Sequence, residues 1–81
     1  MEEDNVQREM TYGEKAVGLT FNPSGDEKVQ KVKELYAQII DLCNEARTEA
    51  GQGEKGRVLS VAITEAQTAQ MWAVKGITYK F

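Results

Sequence analysis

A chain of 81 residues with 10 Lys and Arg against 13 Asp and Glu, no histidine, one cysteine and one proline excludes several classes of protein at once. One domain is the ceiling at this length, and so short a chain buries only roughly 60% of its unfolded surface, which leaves it marginal without staples or self-association. Cys43 alone makes no intrachain disulfide, the lack of His removes catalytic triads and imidazole acid–base work, and a net charge of −3 argues against coating duplex nucleic acid or an anionic membrane.

The N-terminal stretch, Met1–Met10, is polar, and its start, Met1-Glu2-Glu3-Asp4, has the wrong charge for a signal peptide. No uncharged stretch of the chain is long and apolar enough to span a bilayer. The expectation is a small intracellular protein that reaches stability by self-association.

Thr11–Pro23 follows as a Gly-containing segment between that stretch and the first long helix. Within it, Tyr12 lies beside a glycine, where an exposed ring can stack on a nucleobase, with Lys15 nearby as a point charge for phosphate. The commoner role for such a ring is packing the loop against the rest of the chain.

The first long helix is predicted over residues 24–50. Ser24 with Glu27 three positions on reads as a capping box, Gly25 and Asp26 fill the first turn, and Pro23 bounds the helix from outside. Apolar residues recur at Val29, Val32, Tyr36, Ile39, Cys43, Ala46 and Ala50 in steps of three and four, with Leu35, Ile40 and Leu42 widening the stripe. Cys43 reads as a small core residue. The approach to this helix, Thr20, Phe21, Asn22, Ser24 and Gly25, offers hydrogen-bonding groups and helix-start N–H groups to a phosphate, and Lys28, Lys31 and Lys33 follow. Capping by Ser24, stapling by Phe21 and solvation of the lysines account for the same residues without any ligand.

Gly51 can take the left-handed position that ends the helix, and residues 51–56 read as a turn. A second long helix is predicted over 57–78. Its small stripe is Leu59, Ala62, Ala66, Ala69, Ala73 and Gly76, while Val58, Val61, Ile63, Met71, Trp72, Val74 and Ile77 occupy other faces. A helix apolar most of the way round must be covered on more than one side, and the simplest supplier is another copy of the chain. Trp72 and Lys75 could wall a ligand, though core or subunit interface is the more usual fate of a tryptophan. Arg57 opens this helix and Arg47 nearly closes the other. Both could reach phosphate on a neighbouring subunit, although a solvated charge is commoner. No carboxylate pair is matched with a nucleophile or metal-ligand spacing, so no enzyme, metal or cofactor is expected.

The blocks Tyr12-Gly13-Glu14-Lys15-Ala16-Val17-Gly18-Leu19-Thr20-Phe21-Asn22-Pro23-Ser24 and Ala62-Ile63-Thr64-Glu65-Ala66-Gln67-Thr68-Ala69-Gln70-Met71-Trp72-Ala73-Val74-Lys75 resemble the helical-hairpin anti-CBASS and Thoeris anti-defence sponges of bacteriophages. The resemblance implies an all-α antiparallel two-helix hairpin with a short N-terminal helix or loop, assembled as a symmetric homo-oligomer, typically a hexamer. It implies binding of cyclic oligonucleotide or cyclic ADP-ribose-type signals, without cleavage, in the cytoplasm of the infected bacterium. On this likeness the base-stacking aromatic is Tyr12, the phosphate lysine is Lys28, Lys31 or Lys33 with Lys31 favoured, and a second pocket for cyclic trinucleotides would use Ser24, Gly25 and Arg57. The rival reading of the residues is a structural or adaptor hairpin that docks a protein partner through its apolar second helix.

Overall fold

The computed structural model describes residues 9–80, so the signal-peptide reading of Met1–Asp4 lies outside the described residues. Three helices and no strands make up the described chain: α1 (Tyr12–Val17), α2 (Glu27–Ala50) and α3 (Glu54–Ile77). The short N-terminal helix begins at a capping box that the sequence carries plainly, since Thr11 Oγ1 accepts from the Glu14 N–H at 3.1 Å while Glu14 Oε1 accepts from the Thr11 N–H at 3.0 Å. It ends at Gly18, whose φ of +63° is the left-handed region.

Six residues of helix do not hold themselves together in water, so α1 depends on what it packs against. It lies on α2, running in the opposite direction: Gly13 meets Ala37 and Asp41, and Gly18 and Phe21 meet Lys33. The approach is close enough that a Cβ at Gly13 would stand 2.1 Å from the Ala37 carbonyl oxygen. Only glycine fits there, and its N–H donates to Asp41 Oδ1 at 2.7 Å.

The start of α2 differs from the sequence expectation. Helix begins at Glu27 rather than Ser24, and the cap is Asp26, whose Oδ1 accepts from the Lys28 N–H at 2.7 Å. Ser24 and Gly25 precede it in a turn, where Gly25 has a φ of +67° that no first helical turn contains. Asp26 wins because its carboxylate answers both a free N–H and the helix dipole. The turn is also shorter than expected. Only Gly51, Gln52 and Gly53 separate the two long helices, and α3 starts at Glu54.

The buried row of α2 is Val29, Lys33, Ala37 and Ile40, rotated from the expected seam, and Ile39 is 47% exposed. The reason is Lys33. Its apolar stem lies inward while its ammonium donates to the Gly18 carbonyl at 3.0 Å and to the Phe21 carbonyl. On α3 the inner row is Gly56, Ile63 and Gln70, while Ala69 and Gly76 of the expected small stripe are exposed. The core proper is Val17, Ala37, Ile40 and Ile63, with Leu19, Tyr36, Cys43 and Ala66 packed against it. Leu35, Ile39 and Leu42 of α2, and Val58, Val61 and Trp72 of α3, remain exposed on the hairpin's outer sides. Among the described residues, no helix is long and apolar enough to cross a membrane.

Candidate ligand-binding site

The antiparallel hairpin has a turn end and an open end, and the expected ligand residues divide between them. Along α2, Lys31 and Arg47, the residue that lies against Tyr12, are separated by roughly 24 Å of helical rise.

At the turn end, the docking of α1 brings Tyr12 over the C-terminal half of α2. Tyr12 is 46% exposed beside a recess of about 510 Å³ whose walls include Thr11, Asp41, Asn44, Glu45, Thr48 and Glu49. Against the ring lies Arg47, its Cζ 5.5 Å from the ring centroid. The guanidinium is held by Asn44 Oδ1 at 2.6 Å and Ser60 Oγ at 3.1 Å, so it joins α1, α2 and α3. The carboxylates of Asp41, Glu45 and Glu49 make this recess inhospitable to a phosphate unless further cations arrive. Lys15 is exposed on α1. Arg57, also exposed, is bound through Nη2 and Nε to Glu54 at 2.6 and 3.1 Å, which raises the guanidinium's pKa and lowers the carboxyl's.

At the open end, residues 21–26 form a chain of hydrogen bonds. Ser24 Oγ donates to Asn22 Oδ1 at 2.7 Å and accepts from the Asp26 N–H at 3.0 Å. Asn22 Nδ2 donates to the Asp26 carbonyl at 3.2 Å. These groups are largely spent on one another, and the Asp26 carboxylate already takes a helix-start N–H. The Lys28 N–H at this helix start is taken by Asp26 Oδ1, so it is not free for the phosphate expected beside Ser24 and Gly25. Of the three candidate lysines, Lys28 and Lys31 are exposed on the first turns of α2, but Lys33 is buried and committed to carbonyls. A cavity of about 280 Å³ lies between the loop from Phe21 to Ser24, Val29 and Lys33 of α2, Val74 of α3 and Thr78 just after it. Trp72 is 65% exposed with Lys75 Nζ 5.3 Å from its ring centroid, so it belongs to the surface of the chain and not to its core.

Residues 14–78 match the hairpin domain of the Acb2/Tad1 family. The chain belongs to that family. These are the phage anti-CBASS and anti-Thoeris sponges, which accords with the resemblance carried by the two sequence blocks. No curated protein and no solved structure matches the chain. The Acb2/Tad1 match takes in Lys15, the 21–25 loop, both long helices and every other expected ligand residue except Tyr12, which lies two positions before it.

Arg47 is the residue whose importance the sequence least discloses. It reads as one more charge near a helix end. What sets it apart is the register of α1 on α2, which rests on Gly13, and a glycine in a loop-like segment gives no advance notice of a helix contact.

Proposed function

We propose that this chain is an anti-defence sponge: a homo-oligomer that binds cyclic oligonucleotide or cyclic ADP-ribose-type immune signals in the cytoplasm of an infected bacterium and leaves them uncleaved. The observation that carries the reading is the Acb2/Tad1 hairpin match over residues 14–78. A sponge needs only affinity and abundance, because it lowers free signal by mass action.

In this reading a base stacks on Tyr12 and phosphates meet lysines of a second subunit. Lys28 and Lys31 support that role, since both are exposed on a helix start, whereas Lys33 is withdrawn from it. The acidic recess beside Tyr12 and the roughly 24 Å between Lys31 and Arg47 along α2 both favour a site completed by another chain. Leu35, Ile39, Leu42, Val58, Val61 and Trp72 supply the apolar surface such an assembly would cover, in a hexamer or another symmetric ring. Phe21, Asn22, Ser24, Gly25, Lys75 and Arg57 remain candidates for a second ligand contact at the subunit boundaries.

Calorimetry with cyclic di- and trinucleotides and cyclic ADP-ribose isomers tests the proposal. At least one should bind more tightly than about 10 μM, near −7 kcal/mol, and should be recovered intact after the protein is denatured. Tyr12→Ala should cost about 1–3 kcal/mol of that affinity, the worth of one stacked base, with the assembly's size unchanged. Failure of the whole panel to bind at that level would remove the function.

A further inference from the structure

We infer that Arg47 is a positioning residue for ligand binding: it fixes the Tyr12 ring in the half-exposed pose that a base can stack on. The inference rests on the sponge reading and deepens it at one site.

Tyr12 is the first residue of a six-residue helix, so the pose of its ring depends on the groups it meets on α2. Arg47 supplies the hold. Its guanidinium lies against the ring, 5.5 Å from the centroid, while Tyr12 as a whole stays about half exposed. The guanidinium itself is fixed by Asn44 on its own helix and by Ser60 on α3, at 2.6 and 3.1 Å. The ring is thus tied to the rigid hairpin and not merely to α1. Ordering the shelf before the ligand arrives spares the ligand that entropic cost.

Lysine cannot replace arginine here. A planar fork can face an aromatic ring and bond two side chains in fixed directions, whereas an ammonium on a flexible stem cannot do both. Arg47 also brings a positive charge to a ring bordered by Asp41, Glu45 and Glu49, which softens the repulsion an anionic ligand would meet.

The test uses the full chain with cyclic di-AMP, cyclic di-GMP and cyclic ADP-ribose as calorimetric probes. Arg47→Lys and Arg47→Gln should each weaken the tightest of the three by about five- to tenfold. In a Tyr12→Ala background Arg47→Lys should change affinity by less than about twofold, because the charge is kept and the ring that Arg47 acts through is gone. Equal losses in both backgrounds would mean that Arg47 only supports the fold, and would overturn the inference. A second readout needs no ligand: the Tyr12 ring proton resonances should shift and broaden in Arg47→Lys, and unchanged resonances would contradict the positioning role. If none of the probes binds the unmodified protein, the sponge reading falls and this role with it. If they bind the unmodified protein and Arg47→Lys alike, only the role of Arg47 falls.

Discussion

The two ends of the hairpin are built from similar residue types and use them in opposite ways. At the open end, Asn22, Ser24, Asp26 and Lys33 are turned on one another and on the backbone, so a segment without helix is fixed in place. At the turn end, Tyr12 and Arg47 are held from behind and leave a ring face to the surroundings. Polar residues near a helix start are thus weak evidence for a binding site, because the backbone competes for the same donors and acceptors. An aromatic ring kept half-exposed by a buttressed cation is harder to explain by folding alone.

The strongest way to break this contrast is to undock α1. Gly13→Val would force a side chain into the Ala37 carbonyl, and the expected loss is about 3 kcal/mol or more, since neither backbone can yield cheaply. Thermal unfolding should show it as a fall in melting temperature of more than about 12 °C. Hydrogen exchange should show α1 opened while the hairpin remains. A melting temperature within a few degrees of the unmodified protein would contradict the close approach of α1 to α2.

A smaller effect sharpens the contrast from the other side. Lys33→Met preserves the stem but leaves the Gly18 and Phe21 carbonyls without their ammonium, for an expected cost of about 2 kcal/mol. Exchange should quicken at the Phe21 and Gly25 amides, which bond within the loop, and stay slow at Gly13, which bonds to Asp41. Equal quickening at both ends would mean that they are not separately held. Ligand affinity at Tyr12 should change less in this variant than in Arg47→Lys.

The smallest effect concerns Glu54 and Arg57 at the turn. The guanidinium holds the Glu54 carboxyl below its ordinary value of 4.5. A group whose pKa is depressed by folding stabilises the folded form above its unfolded pKa and loses that contribution as pH falls through the folded one. Glu54→Gln should therefore melt slightly below the unmodified protein at neutral pH, with the gap closing as the pH falls through the lowered folded-state pKa of Glu54. Both side chains are well exposed, so added salt should shrink the gap as well. A gap that persists at low pH would assign the effect to something other than the ion pair.

Much of the architecture was legible in the sequence, because long amphipathic helices declare themselves by spacing and the glycines after Ala50 mark a turn. Three features were hidden for identifiable reasons. Ser24 and Asp26 compete for the same cap, and residue type alone did not rank a hydroxyl against a carboxylate that also meets the dipole. Lys33 reads from sequence as a solvated charge or a phosphate ligand and the apolar spacing runs through Ile39, because the carbonyls that draw Lys33 inward are distant in sequence. Tyr12 stands out in the sequence as a ring beside a glycine and again through the resemblance, but its link to Arg47 depends on the docking of α1, and no local pattern encodes that register. The outer faces of the hairpin were anticipated in kind: the sequence carried more apolar surface than one partner helix could cover, and Trp72, Leu42 and Val58 are indeed left exposed.

Native mass spectrometry of the protein mixed with the tightest-binding cyclic nucleotide or cyclic ADP-ribose isomer tests the central claim most directly. The account predicts a multiple of the 9.0 kDa chain carrying whole copies of the unaltered ring compound. A lone chain without ligand, or a bound species heavier than the ring by one water, would contradict it.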